Sequence, residues 1–167
     1  GSPKKEHYEY VRNGTCCIFL AFEPRAGKRI VCVKERRTRV DYADFMKTLA
    51  LRYPEAETIL LVQDNLNTHT AGSFYEALPP EEAFKLARSF EFHFTPKKGS
   101  WLNMAEIELS ALSKQCLDRR IADLKILKHE VSAWENERNS IGATVRWQFK
   151  KDNARDKLQR HYQKLQN

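Results

Sequence analysis

The run Thr58-Ile59-Leu60-Leu61-Val62 is short, apolar and rich in β-formers, and it empties directly into Gln63-Asp64-Asn65-Leu66-Asn67-Thr68-His69. Such a run reads as a buried strand. A strand that ends in a carboxylate and then turns polar constrains the fold strongly, because open α/β sheets gather their ligands just outside the carboxyl ends of their strands. Apolar residues inside and an acid at the exit are a common way to build a metal-dependent site.

The flanking pattern agrees with an α/β chain. Thr15 to Phe22 reads as a strand apolar on both faces, and Glu23-Pro24-Arg25-Ala26-Gly27 turns it into a second strand, Lys28 to Val33, as an antiparallel hairpin. Tyr42, Phe45, Met46, Leu49 and Tyr53 recur at helical spacing, which predicts a helix over Asp41 to Tyr53 with Asp41 as N-cap and Pro54 as a stop. After the polar turn, Pro79-Pro80 makes a corner before a short helix, Glu81 to Arg88, and the alternation Phe90-Glu91-Phe92-His93-Phe94 predicts a fourth strand. Thr95-Pro96-Lys97-Lys98-Gly99-Ser100 breaks regular structure. From Trp101 onward, Leu102, Ala105, Leu109, Leu112 and Cys116 mark a long amphipathic helix. Another helix follows from Ile121 to about Asn136, and a basic tail from Lys150 to Lys164 carries Leu158, Tyr162 and Leu165 on a helical stripe. A hairpin, then alternating strands and helices, then helices, predicts one mixed-sheet α/β domain spanning residues 1–167, with the tail over about 150–167.

The 167 residues suffice for one domain with a real core. Lys and Arg total 29 against 22 Asp and Glu, a formal charge of +7 that favours polyanionic partners such as nucleic acid. Cys16, Cys17, Cys32 and Cys116 lack the spacings of zinc ligands or of a disulfide framework, so they are expected to be reduced and mostly buried thiols. No apolar run reaches membrane-spanning length and no signal peptide opens the sequence, which predicts a soluble, cytoplasmic chain with no membrane partner. Gly1-Ser2-Pro3-Lys4-Lys5 reads as a cloning remnant or a basic linker, and either predicts that the chain starts inside something larger.

Asp64 serves equally as a ligand or as a turn aspartate capping the residues after it. Asn65 and His69 favour the first role, because an amide and an imidazole beside a carboxylate can orient it or contact a phosphate. A second acid is expected from the long helix. At about 100° per residue, Glu106 and Glu108 flank the apolar stripe on opposite sides, each roughly 80° from its centre, so periodicity does not choose between them. Asn103 and Ser110 accompany Glu106, whereas Ala111 and Gln115 accompany Glu108.

Asp64-Asn65 with His69, then Thr95-Pro96, Gly99-Ser100-Trp101-Leu102-Asn103 and Glu106, resembles the catalytic domain of DDE transposases of the mariner superfamily, in particular the bacterial insertion-sequence branch of the IS-six-thirty type. Tyr8-Glu9-Tyr10, Arg12-Asn13-Gly14-Thr15 and Cys116-Leu117-Asp118-Arg119-Arg120 extend the resemblance over most of the chain. It implies a ribonuclease-H-like fold, a mixed sheet flanked by helices, whose acids hold two divalent cations, Mg²⁺ or Mn²⁺, for cleavage and strand transfer of DNA. By the Asn-x-x-Glu match, Glu106 becomes the family's third acid and Asp64 its second. Asn65, His69 and Asn103 become supporting residues. Lys97, Lys98 and Trp101 become candidate DNA contacts, while Trp134 and Trp147 read as core.

The family's first aspartate lies on a strand preceding Thr15 to Phe22, and no residue here matches it. Glu23 is the nearest local candidate, although a turn glutamate before Pro24 is the simpler reading. The resemblance therefore implies a domain without its first strand, which alone holds metal poorly and is inactive, with its sequence-specific DNA-binding region upstream. It also implies a homodimer acting on paired DNA ends. The contrasting expectation is a catalytically silent DNA-binding or assembly module descended from such an enzyme.

Overall fold

The computed structural model describes residues 14–64, 66–96, 103–145, 153 and 159. Among them, β1 (Cys17–Glu23) and β2 (Lys28–Lys34) form an antiparallel hairpin, with register running from Cys17 opposite Lys34 to Glu23 opposite Lys28. Helix α1 (Arg39–Arg52) leads to β3 (Ile59–Gln63), and α2 (Gly72–Ala77) and α3 (Pro80–Arg88) cross over to β4 (Phe90–Phe94), which pairs parallel with β3. Helices α4 (Ala105–Gln115) and α5 (Leu124–Ser140) complete the order. This is a mixed α/β architecture consistent with a ribonuclease-H-like domain, with its sheet present as two separate two-stranded halves among the described residues. No described helix is long and apolar enough to cross a membrane.

Several boundaries differ from the sequence expectation for local reasons. Helix α1 begins two residues earlier, because Thr38 and not Asp41 is its N-cap: the Asp41 N–H donates to Thr38 Oγ1, and Asp41 Oδ2 accepts from the Thr38 N–H at 2.9 Å. That reciprocal box satisfies donors at the helix start that otherwise lack partners, and the Thr38 hydrogen bonds hold the Asp41 carboxyl below its ordinary range. Asp123 caps α5 by accepting from the Ile126 N–H, without a reciprocal bond, so that helix starts at Leu124. Helix α2 is too short to leave a periodic signature and has no counterpart in the sequence expectation. The predicted start of the long helix at Trp101 and Leu102, and the basic tail apart from residues 153 and 159, lie outside the described residues.

Strand alternation divides the interior in two. Phe19 and Ile30 face a core shared with Tyr42, Phe45, Met46 and Leu49 of α1, Phe74 of α2, Leu86 of α3 and Phe90 of β4. The opposite hairpin face presents Ile18, Leu20, Val31 and Val33 to Leu112, Cys116, Leu127, Val131 and Trp134 of α4 and α5. The hairpin is therefore covered on both sides, which explains the consecutive apolar residues of Cys17 to Phe22 and Ile30 to Val33. Strand β3 is not so covered: Ile59 and Leu61 pack on the first core, but Leu60 is 64% and Val62 49% exposed, because α4 and α5 lie against the hairpin. The fully buried strand expected from sequence is thus half-buried here.

The four cysteines are free thiols, but only Cys116 is buried; Cys17 and Cys32 are half-buried and Cys16 is exposed. The expectation of mostly buried thiols fails at Cys16 because it lies just before β1, outside the packed strand. Burial pushes the Cys17 and Cys116 thiols up, away from the reactive thiolate.

The second core contains an ion pair at its end. Arg29 lies on the same face of β2 as Val31 and Val33, and its side chain is fully buried. Its Nε and Nη2 donate to Glu108 Oε2 and Oε1 at 2.6 and 2.9 Å. Nη1 donates to the carbonyls of Gly27 at 2.6 Å and Arg138 at 3.5 Å, and Nη2 also reaches the Ala143 carbonyl. All five guanidinium donors are thereby used. Arg138 Nη2 adds a second donor to Glu108 Oε1 at 3.3 Å. Burial pushes the Glu108 carboxyl up, but the hydrogen bonds and charges of Arg29 and Arg138 outweigh it and hold the group below its usual range. The hairpin turn itself docks closely on the end of α5: Gly27 has φ +63°, and a Cβ there would stand 2.6 Å from the Gly142 carbonyl oxygen.

Removing one partner of such a pair strands a buried charge. Glu108→Ala is expected to destabilise the chain by about 3–5 kcal/mol, with the double variant Arg29→Met/Glu108→Leu recovering most of that loss, as read by urea denaturation. A carboxyl depressed in the folded state contributes stability above its unfolded value of 4.5, and this contribution is lost as pH falls through the lower folded value. Glu108→Gln should therefore flatten the acid arm of the stability profile below about pH 4.5.

Candidate functional site

Gln63 ends β3 and Asp64 follows it, as the sequence pattern predicts. The chain then closes a turn in which the His69 N–H donates to the Leu66 carbonyl at 2.9 Å. That turn carries the His69 ring back to Asp64, with Nδ1 2.6 Å from Asp64 Oδ1. The imidazole stacks on Tyr42 of α1, ring centroids 4.7 Å apart and planes 19° from parallel, and lies 6.3 Å from the Phe19 ring of β1. One Asp64 oxygen is thus occupied by His69 while the side chain stays partly open to solvent. Burial pushes the Tyr42 hydroxyl up to about 12, so it remains a neutral donor.

The two acids of α4 receive different environments. Glu108 is consumed by Arg29 and Arg138 inside the second core. Glu106, on the other flank, is exposed, and its carboxylate has no hydrogen-bond or ion-pair partner among the described residues. Asn103 Oδ1 accepts the Ala105 N–H at 3.0 Å, and its carbonyl accepts the Glu106 N–H at 3.1 Å, so Asn103 ties down the first turn of α4. The helical wheel alone leaves Glu106 and Glu108 equivalent. The signal that separates them is Arg29 in an otherwise apolar strand face, which demands a buried carboxylate.

Of the predicted residues, the structure joins Asp64 to His69 and Asn103 to the start of α4. No described contact links Glu106 to Asp64, and no group of three or more His, Cys, Asp or Glu side chains among the described residues is arranged to hold a metal ion. The side-chain chemistry of Asp64 and Glu106 suits a hard cation, but the number of gathered acids does not. Asn65, Lys97, Lys98 and Trp101 lie outside the described residues, as does Trp147; Trp134 is buried in the second core as expected.

Glu23 does not complete the set. Its Oε2 accepts the Tyr53 hydroxyl at 2.9 Å, at the C-terminal end of α1. Gln63 Oε1, next to Asp64, accepts from Tyr42 at the N-terminal end of the same helix. The two tyrosines are separated by about 16 Å of helical rise. Strands β1 and β3 therefore run in opposite directions past α1, and their C-terminal acids lie at opposite ends.

A family model described as DDE superfamily endonuclease matches residues 1–128. No curated protein and no solved structure matches the chain.

The contrast on α4 is directly testable. Glu106→Gln should leave the unfolding free energy from urea denaturation within about 0.5 kcal/mol of the unmodified chain, whereas Glu108→Gln should lower it clearly.

Proposed function

The chain belongs to the DDE superfamily of endonucleases, and from that premise we propose that it is the catalytic domain of a transposase that cleaves DNA strands and joins them to a target. The observation that carries the reading is Asp64 at the exit of β3, held by His69 through one oxygen with the other left for a ligand. Glu106, exposed and without a partner among the described residues, supports it as the second acid, because its neighbour Glu108 already has a structural partner. The motif series favours the mariner superfamily and its IS-six-thirty branch, and paired transposon ends favour a homodimer in the full-length protein.

Asp64 and Glu106 offer the oxygen donors that Mg²⁺ or Mn²⁺ prefers. When bound, two such cations would activate water or a DNA 3′-hydroxyl and stabilise the leaving oxygen at the scissile phosphate. The described residues supply two acids for this task, and we place the third on a further strand between β1 and β3. Each of these strands has an unpaired edge among the described residues, yet both rest on one core. A strand entering β1 through a tight turn would run antiparallel to it, hence parallel to β3, and would bring its C-terminal end beside Asp64.

DNA is the substrate class of the family. Arg36 and Arg37 support its approach from the Asp64 end, being exposed in the loop that leads into α1. Lys97 and Lys98, a few residues before Glu106 in sequence, are suited to the phosphate backbone, and Trp101 to stacking on a base. The rival reading, a silent DNA-binding or assembly module, draws on the absence of a three-acid cluster among the described residues. A bacterial source would place this activity in the cytoplasm, at the nucleoid when DNA is bound.

A polypeptide that includes this proposed additional strand should nick transposon-end DNA in Mg²⁺ or Mn²⁺, and Asp64→Asn or Glu106→Gln should each reduce the rate at least about 100-fold. Retained DNA binding with no metal-dependent nicking would favour the silent module. Replacing Lys97 and Lys98 by Gln should weaken DNA binding and lower the salt slope by up to about 2, as two fewer phosphate contacts require; an unchanged slope would place them elsewhere.

A further inference from the structure

Two large polar side chains are buried between α1 and β3 where apolar residues would pack as well. Tyr42 is 2% and Gln63 7% exposed. A buried amide is costly unless it is hydrogen-bonded, and the Gln63 amide is bonded on both sides. Its Oε1 accepts from the Tyr42 hydroxyl at 2.8 Å, and its Nε2 donates to the His69 backbone carbonyl at 3.0 Å. Tyr42 thus touches His69 twice, once by its ring and once through Gln63.

The imidazole held in this way has one committed nitrogen. Nδ1 faces Asp64, while Nε2 is buried and has no hydrogen-bond partner among the described residues. A buried N–H without an acceptor is expensive. The proton therefore belongs on Nδ1, where it donates to Asp64 Oδ1, and Nε2 carries the lone pair. The turn is tied from its far side as well, by Ser73 Oγ donating to the Thr68 carbonyl at 2.8 Å.

We propose that Tyr42 and Gln63 are positioning residues for the metal-binding acid: they hold His69 in one place and one tautomer, and His69 in turn fixes which Asp64 oxygen is free. This rests on the reading of Asp64 as a metal ligand. It extends the site from the β3 exit back into α1, so that the first turn of α1, fixed by the Thr38–Asp41 box, orients a carboxylate on another element. Partners of this kind, one step removed from a metal, commonly alter affinity by about 10–100-fold when lost.

The test begins with ¹⁵N-labelled imidazole spectra of the full chain at about pH 8, above the ordinary imidazole range. The unmodified chain should show His69 as the single Nδ1–H tautomer. Gln63→Glu keeps the acceptor for Tyr42 but loses the donor to His69, and Tyr42→Phe keeps the stacked ring but loses the hydroxyl. Both should move His69 toward a tautomer mixture and, in a polypeptide that includes the proposed additional strand, weaken Mn²⁺ binding, read by electron paramagnetic resonance, by about tenfold. His69→Asn, whose amide can replace Nδ1–H, should retain more Mn²⁺ affinity than His69→Gln; a role in packing alone would not separate these two. An Nε2–H tautomer in the unmodified chain, or an unaltered Nδ1–H tautomer in both Gln63→Glu and Tyr42→Phe, would overturn the proposal. Mn²⁺ binding indifferent to Asp64→Asn would instead overturn the metal-ligand reading, and the tautomer result would still decide whether Tyr42 and Gln63 position His69.

Discussion

The Arg29–Glu108 pair is the constraint on which the arrangement of the second half of the chain depends. It joins β2 to α4, and through Arg138, the Arg138 carbonyl and the Ala143 carbonyl it joins both to the end of α5. Asn139 adds a backbone link, its Oδ1 accepting the Arg29 N–H at 2.7 Å and its Nδ2 donating to the Arg29 carbonyl at 2.9 Å. With a charge so fully enclosed, α4 has one tolerated rotation. Residues two apart on a helix point about 200° apart, so turning Glu108 inward turns Glu106 outward. The same ion pair that closes the core leaves on the surface a carboxylate with no partner among the described residues.

A second set of contacts organises the other end of the molecule. Helix α1 spans the hairpin and the β3–β4 pair, binding Glu23 through Tyr53 at one end and Gln63 through Tyr42 at the other. Burial, together with the hydrogen bond and charge of Glu23, pushes the Tyr53 hydroxyl up to about 12, so this contact stays intact across the ordinary pH range. The shared core under both half-sheets is therefore assembled without direct pairing of β1 and β3. Among the described residues the facing edges of β1 and β3 are left unpaired, and Asp64 sits at one end of the seam between them.

Much of this was legible in the sequence because it is local. The apolar run before Asp64, the alternation of Phe90 to Phe94 and the stripe from Tyr42 to Leu49 each announce their element without reference to the rest of the chain. The Thr38–Asp41 box was present in the sequence as well, but a polar residue adjoining the apolar stripe drew the helix start to Asp41. What escaped was long-range. A helical wheel sees one helix, so it could not weigh Glu106 against Glu108 without Arg29, 79 residues away in sequence. The link from Tyr42 through Gln63 to His69 likewise crosses three elements, and each residue taken alone reads as ordinary helix, strand end or turn. The Asp64–His69 pair was legible as a grouping, since both lie in one turn, but its hydrogen bond required the fold.

The central claim is that Asp64 and Glu106 are acids of one divalent-metal site in a DNA-cleaving domain. Calorimetric titration of Mn²⁺ into a polypeptide that includes the proposed additional strand tests it most directly. The account predicts saturable binding that Asp64→Asn and Glu106→Gln each abolish, leaving the fold intact. Binding that survives both substitutions, or no binding by the unmodified polypeptide, would contradict it.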